Sequence, residues 1–333
     1  MIVVRTSARL HLGLLDNNGG LGRLYGSIGL AVNQPNLLLK AANADALKVE
    51  GLDRKRVREY AQRFIRKYDL PSGVYLKLES GIPAHVGLGS GTQLALAVGT
   101  ALARLFRRKI GLQEIALAVG RGAHSGIGIS IFRHGGFVLD GGRRIISADP
   151  ESEGIAAFER KLEKDRIPPV LFQRSIPKGW YFVMAIPKTE PGLSGKKEDD
   201  AFLKLPRAPS TLVEKISRTL LIQMLPALVE KDIAHFGRAL TRIQLMVGDC
   251  FASVQGGRFA NPVSEKMVDF MLSRGAAGIG QSSWGPTVYG LIGGKSKAQK
   301  LLSSCRSYLD TLGGGQVFVV QPENQGARVA VVQ

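Results

Sequence analysis

Cysteine is nearly absent from this 333-residue chain, with Cys250 and Cys305 the two present. Their spacing matches no metal motif, and two thiols make no disulfide framework. Each is expected as a small buried apolar residue, in a protein of a reducing, cytoplasmic compartment. Long hydrophobic runs are also missing. The most apolar, Leu94 to Phe106, is shorter than a bilayer requires and contains Arg104. The opening MIVVRTSARLHLGLLD lacks the basic head, apolar core and small-residue cleavage site of a signal peptide. No membrane contact is expected. There is no biased tract or internal repeat, and a composition 44% hydrophobic and 22% charged reads as globular.

The most local deficit is of carboxylates: none occurs between Glu114 and Asp140. That gap holds Gly120 to Gly136, GRGAHSGIGISIFRHGG, with six glycines, two arginines, two histidines and two serines. Glycine at this density marks backbone approaching a ligand or turning where side chains would clash. The segment offers cations and hydroxyls without an acid.

Positive charge is in excess, with 45 Lys and Arg against 27 Asp and Glu, a net +18. Such a field attracts phosphorylated metabolites, carboxylates or nucleic acid. In Asp53 to Tyr68, Val57, Tyr60, Ala61, Phe64 and Tyr68 recur at helical spacing with basic residues opposite, the pattern of a solvated amphipathic helix. No aromatic platform motif or zinc knuckle stands beside it, so nucleic acid is not the expected partner.

Pattern order gives an α+β chain of two lobes, residues 1–175 and 176–333. In the first, strands over Val3 to Leu15, Ser27 to Val32 and Asn36 to Val49 precede the basic helix and a strand at Gly73 to Leu78. Helices follow over Gln93 to Arg107 and Leu112 to Val119, then the glycine-rich segment and the strand GFVLDGG. Arg143 to Gly179, with Pro168, Pro169 and Pro177 among its residues, reads as a linker with a short helix. Beyond Trp180 the order is β-α-β-β-α-β, the pattern of a ferredoxin-like layer with helices on one face of an antiparallel sheet.

Two further glycine-rich segments frame the first. PAHVGLGSGT (Pro83 to Thr92) runs into an apolar helix. Amide N–H groups at a helix start, with the helix dipole, favour an anion, so Gly87, Leu88, Gly89, Ser90, Gly91 and Thr92 are candidates to cradle phosphate. The Gly-Lys-Ser/Thr ending of a Walker A loop is missing. GIGQSSWGP (Gly278 to Pro286) lies between two strands, yet carries more hydrogen-bonding capacity than a hairpin requires; Gln281, Ser282 and Ser283 are candidates there.

In this order, PAHVGLGSGT, SGIGISIFRHGG and GIGQSSWGPTVYG resemble the three signatures of the GHMP kinase superfamily, which includes galactokinase, homoserine kinase and mevalonate kinase. The resemblance implies a ribosomal S5-like N-terminal lobe and a ferredoxin-like C-terminal lobe, with the first loop on phosphates. Where many of those kinases carry the aspartate of a Ser-Gly-Ile-Asp run as base, this chain has Ser125, Gly126, Ile127 and then Gly128. Gly91 replaces a second serine in the loop.

The stretches RTSARLHLGLLDNNGGLGRLYGSIGLAV, HVGLGSGTQLALAV, GRGAHSGIGISIFRHGGFVLDGG, AIPKTEPGLSGKKE and SSWGPTVYGL resemble, more narrowly, the β-ribofuranosylaminobenzene 5'-phosphate synthase family. That resemblance implies joining of phosphoribosyl pyrophosphate (PRPP) to 4-aminobenzoate or 4-hydroxybenzoate. Diphosphate and CO₂ are released, without ATP and with Mg²⁺, in a homodimeric enzyme of methanopterin biosynthesis. Gly128 suits such chemistry: CO₂ leaves the attacked ring carbon in place of a proton, so that carbon needs no base.

Candidate side chains follow. Arg9 and His11, with Arg5, alternate on the first strand and share a face. Asp16, in DNNGG, and Thr92 are candidate Mg²⁺ ligands, although DNNGG also reads as a turn. Arg23 is a candidate phosphate clamp. Arg121, His124, Ser125 and Gly126 are candidates for the aromatic carboxylate or the ribose phosphate. Lys188, Glu190, Ser194, Lys196 and Glu198 follow a strand end, where loops carry function. His85 and His134 read as structural. The rival readings are an ATP-dependent small-molecule kinase of homoserine or mevalonate type, and a basic RNA-binding protein.

Overall fold

The computed structural model describes residues 1–332 apart from 123, 147–155, 157–160, 164–165, 191 and 194. Alternating apolar residues make β1 (Ile2–Asp16) a strand whose even-numbered positions Val4, Ala8, Leu10 and Leu12 are fully buried. It pairs antiparallel with β2 (Arg23–Asn43), one continuous strand where the sequence suggested two. β3 (Lys48–Gly51) and β4 (Val74–Ser80) extend one end of this sheet, and β5 (Phe137–Asp140) pairs with the first half of β2. The amphipathic α1 (Arg54–Tyr68) buries Val57, Tyr60, Ala61 and Phe64, as its spacing requires.

The apolar α2 (Ser90–Leu105) packs under the sheet. It begins three residues before the expected start, so Ser90, Gly91 and Thr92 form its first turn rather than the end of a loop. α3 (Leu112–Ala118) follows, and then the segment without carboxylates departs from its glycine-rich appearance. Ile127–His134 is a helix, α4, held by burial of Ile127, Ile129, Ile131 and Phe132. Glycines lie at both of its ends, which hid the apolar run between them.

Two further departures concern the lobe boundary. The region that reads as a linker contributes β6 (Arg143–Arg144), which pairs with β2, and β7 (Val170–Arg174), which pairs with β5. The last strand, β12 (Arg328–Val331), returns to pair with β1. The division at residue 175 places β12 in the second lobe; its hydrogen bonds place it in the first sheet.

The second sheet is antiparallel in the order β11 (Gly315–Val320), β8 (Trp180–Pro187), β10 (Val288–Gly293), β9 (Gly278–Gln281). Five helices and a π-helical turn (Leu220–Met224) join β8 to β9. These are α5 (Lys196–Lys204), α6 (Ser210–Thr219), α7 (Leu225–Glu230), α8 (Ile233–Gln255) and α9 (Pro262–Ser273). α9 and α10 (Lys295–Thr311) cover one face through Met267, Met271, Ala298 and Leu301, which gives the expected β-α-β-β-α-β layer.

α8 joins the lobes. Its Gln244 donates to the Leu12 carbonyl on β1 (2.6 Å) and accepts from the Gln281 amide on β9 (2.8 Å). The main apolar cluster runs from Leu10 and Leu12 of the first sheet through Phe236 and Leu240 of α8 to Phe182 and Met184 of the second sheet. A cleft between sheets tied in this way keeps a defined shape.

Candidate active site

Three connections hold the glycine-rich loop ahead of α2. Arg9 donates from its amide to the Leu88 carbonyl (3.1 Å) and from its guanidinium to the Gly87 carbonyl (2.7 Å). The Ser282 hydroxyl donates to the same Gly87 carbonyl (2.6 Å) and accepts from the His11 amide (3.0 Å). Thr287 donates to the Val86 carbonyl (2.6 Å). With its carbonyls engaged by Arg9 of β1 and by Ser282 and Thr287 of the second lobe, the loop delivers the first turn of α2, whose amides have no intrahelical acceptor. The helix dipole adds to their attraction for an anion.

Two glycines let guanidinium groups close on this turn. A Cβ on Gly89, which has φ +78°, would lie 2.8 Å from Cγ of Arg9; one on Gly91 would lie 3.1 Å from Nη2 of Arg121. Arg121 is fixed from behind by donating to the Tyr60 hydroxyl and by lying over the Tyr60 ring, 5.2 Å from its centre.

A cavity of about 670 Å³ opens between this turn and the second lobe. Its lining includes the polar side chains of Arg9, Thr92, Arg121 and Ser125, with Gly128 among them. Phe202, Phe251 and Trp284 line it as well. Trp284 meets Phe251 and Phe202 edge-on, at 4.9 and 5.3 Å between ring centres. His124 stacks on Phe202 at 4.4 Å, with 15° between the planes. Edge-to-face rings 4.5–7 Å apart form a rigid apolar wall suited to another planar ring.

Burial sets the charges. Arg9 is pulled down to about 10 by burial, against the attraction of Glu198, and remains a cation at neutral pH. His11 is pushed down to about 3 by burial and then by Arg9, so its imidazole is neutral. Burial raises Glu198 above the usual carboxylate range; Arg9, the Trp284 N–H at 3.2 Å and Arg121 pull it back. His124 is lowered by burial, with Asp199 (3.8 Å away) opposing and Arg143 reinforcing.

Of the sequence candidates, Arg9, His11, Thr92, Arg121, His124, Ser125, Gln281 and Ser283 line this cavity, and Gly87, Leu88, Gly89, Ser90 and Gly91 build the loop beside it. Arg5 shares the face of Arg9 and His11, but is exposed and does not line the cavity. Asp16 does not line the cavity that Thr92 lines. Its carboxylate accepts from the Asn18 and Gly19 amides (2.6 and 2.9 Å), the turn that DNNGG also suggested. Arg23 clamps backbone rather than an anion, donating to the Gly141 and Gly142 carbonyls (2.6 and 2.7 Å).

Ser282 is fully buried as a strut of the loop, and Gln281 is tied to the Ala260 amide and the Ser283 carbonyl while its side lines the cavity. The Gly126 amide donates to Asp140 (3.0 Å), so Gly126 supports the site from outside. Lys188 and Glu190 are exposed and away from the cavity, and Ser194 lies outside the described residues. Glu198 enters the cavity, with Asp199 and Phe202 from the same helix. Asp199, Phe202 and Phe251 carried no sequence signal, because nothing in KKEDDAFLK or DCFASVQ fixes which side meets a cleft made by other elements.

The segment without carboxylates therefore does not make an acid-free site, since α5 supplies acids from elsewhere in the chain. Among the described residues, no three His, Cys, Asp or Glu side chains cluster as a metal cage.

The GHMP kinases N terminal domain matches residues 55–136, and the GHMP kinases C terminal domain matches residues 224–311. The chain is 32% identical over 336 residues to a β-ribofuranosylphenol 5'-phosphate synthase of Methanothermobacter thermautotrophicus, covering 98% of each. A protein of that name from Archaeoglobus fulgidus is 34% identical over 334 residues, covering 99% of this chain and all of its own. Among solved structures, mevalonate diphosphate decarboxylase from Staphylococcus aureus shares the fold with a TM-score of 0.69 at 12% identity, covering 99% of both chains.

Proposed function

The chain belongs to the β-ribofuranosylphenol 5'-phosphate synthase family within the GHMP kinase fold, and we propose that it is a decarboxylating C-ribosyltransferase. It joins PRPP to 4-hydroxybenzoate or 4-aminobenzoate. The ring carbon bearing the carboxylate supplies the electron pair for the new bond to C1', and the C1'–O bond breaks with its pair on diphosphate. The ring–carboxylate bond then breaks, its electrons restore the aromatic ring, and CO₂ leaves. The product is the C-ribosyl phenol or aniline 5'-phosphate, a precursor of methanopterin.

The observation that carries this reading is the mixed lining of one cavity. A loop flanked by Arg9 and Arg121 and an aromatic cluster of Phe202, Phe251 and Trp284 border the same space. Diphosphate carries the charge that first-turn amides and guanidinium groups accept, and their stabilisation grows as that charge develops on the leaving group. The aromatic acid stacks on the aromatic cluster. Gly128 leaves α4 without a carboxylate where many kinases of this fold place their base, which speaks against the kinase reading.

The expected Mg²⁺ pair of Asp16 and Thr92 does not fit a bound ion. A Mg²⁺ ion brought in with diphosphate would need few protein ligands and would neutralise charge on the leaving group, while Arg9 and Arg121 hold the donor. No helix among the described residues is long and apolar enough to cross a membrane. A cytoplasmic homodimer acting on small anions is the form we propose.

The test supplies PRPP, Mg²⁺ and carboxyl-labelled benzoates without ATP, and measures labelled CO₂ and diphosphate. Stoichiometric release of both is expected. No release with either acid, together with ATP turnover on an alcohol, overturns the reading.

A further inference from the structure

We propose that Glu198 is the catalytic carboxylate of this site, facing the ribose of the donor, where it accepts from a ring hydroxyl and sets negative charge beside C1' as diphosphate departs. The inference rests on the C-ribosyltransfer reading above.

A cavity for two anions is a costly place for an acid, because a carboxylate repels both substrates. Glu198 is nevertheless held there. It lines the cavity from α5, its Oε1 accepts from the Trp284 indole N–H at 3.2 Å, and it is electrostatically coupled to both Arg9 and Arg121. Those partners define its place. The arginines belong to the loop side, where diphosphate binds, and Trp284 belongs to the wall that receives the aromatic ring. C1' is the donor atom that diphosphate leaves and the aromatic acid attacks, so it lies at the junction that Glu198 occupies.

The chemistry there suits a carboxylate. As the C1'–O bond lengthens, C1' and the ring oxygen gain positive charge, and a fixed anion lowers the energy of that state more than of the neutral ribose. A carboxylate is also an acceptor for hydroxyl donors, which distinguishes a sugar from the phosphates around it. Glu198 forms no bond and transfers no proton: electrons move from the ring carbon to C1' and from the C1'–O bond to diphosphate. The two arginines screen diphosphate from Glu198, so the acid faces ribose without expelling the leaving group. In this reading the acid missing from α4 at Gly128 is supplied by α5, facing a sugar carbon instead of an alcohol.

Glu198→Gln and Glu198→Asp test this, with donor affinity by calorimetry and turnover by labelled CO₂, using PRPP and its 2'-deoxy and 3'-deoxy analogues. Glu198→Gln is expected to bind PRPP within about threefold of wild type and to lose turnover by about 100-fold or more, the scale of a lost electrostatic stabiliser. Glu198→Asp is expected to recover part of that turnover. One deoxy analogue costs the wild type about tenfold and costs Glu198→Gln no more than about twofold, as a removed shared contact predicts.

Turnover of Glu198→Gln within about threefold of wild type, or unchanged discrimination against both analogues, overturns the inference. So does a loss confined to PRPP affinity, which would make Glu198 a support for Arg9. Wild type that releases no labelled CO₂ fails the underlying reading instead, and the two failures are told apart by that control.

Discussion

A Cβ placed on Gly128 would lie 2.8 Å from Cγ2 of Thr92 and 3.2 Å from its Cβ. The glycine that empties the position of a kinase base is thus also the glycine that admits a threonine from the first turn of α2. Gln93 of that helix donates to the Gly128 carbonyl (2.7 Å), locking the two helices at this distance. Gly128→Ala is expected to displace Thr92, lower CO₂ release about tenfold and destabilise the fold by about 1–3 kcal/mol, the usual cost of overpacking. Adding Thr92→Ser removes Cγ2 and is expected to restore most of both, read by Tm and turnover. Gly128→Asp that left condensation unaffected, or gave kinase activity with no other change, would defeat the account of why no acid stands here.

Arg121 bears on the donor. Arg121→Ala removes a guanidinium against Gly91 and its hold on Tyr60. The KM for PRPP is expected to rise about 10- to 100-fold, in line with a lost charge-assisted phosphate contact. The KM for the aromatic acid should move less. Initial-rate measurements over both substrates separate these, and a change confined to the aromatic acid would place Arg121 on the carboxylate.

The aromatic wall makes the complementary prediction. Phe202→Ala removes the ring that stacks on His124 and meets Trp284. Aromatic-acid affinity is expected to fall about 10- to 100-fold, while PRPP affinity stays within about threefold. Quenching of Trp284 fluorescence by the benzoate provides a direct readout of binding.

Acid response is set by two buried groups of opposite sense. His11 falls from 6.5 to about 3 on folding, so the folded state refuses a proton that the unfolded chain binds, and stability is lost as pH drops below 6.5. Asp140 rises from 3.8 to about 6 because burial outweighs its bonds from Gly142 and Gly126, so the folded state gains a proton as pH falls through 6, and stability increases. The two cancel between pH 6 and 4. Replacing His11 with Asn removes one side of this balance. Relative to wild type, His11→Asn should gain about 1.4 kcal/mol per pH unit below 6.5, seen as converging or crossing unfolding curves between pH 6.5 and 4. A constant offset between the proteins over that range would contradict it.

Arg23→Ala should lower Tm without changing the KM for PRPP, because its guanidinium holds the Gly141 and Gly142 carbonyls. A raised KM with unchanged Tm would return Arg23 to the phosphates.

Where a residue's role is set by its neighbours in sequence, the chain could be read directly. The even positions of β1, the amphipathic face of α1 and the glycine-rich start of α2 announce themselves by period and turn chemistry. The first-turn site was legible because a helix N-terminus carries its donors with it. Roles decided across the cleft were not legible. Ser282 reads as a free hydroxyl until Gly87 and His11 are placed on either side of it. Glu198 reads as one charge in KKEDD until Arg9 and Trp284 surround it. α4 was hidden by its end glycines, and β7 by the prolines near it. The return of β12 rests on pairing with residues more than 300 positions away, which no local pattern encodes.

That return makes the second lobe an insertion within the first. Two covalent crossings, one before β8 and one after β11, tie it to a sheet whose first and last strands are hydrogen-bonded neighbours. A lobe tethered at both ends cannot swing open on one flexible connector, so admission of substrates would rely on sliding at the α8 contacts or on movement of α5. The adjacency of β1 and β12 also points to a circular permutant, with the start of β1 and the end of β12 joined by a short linker and the chain reopened in an exposed turn, that keeps both the fold and the cavity.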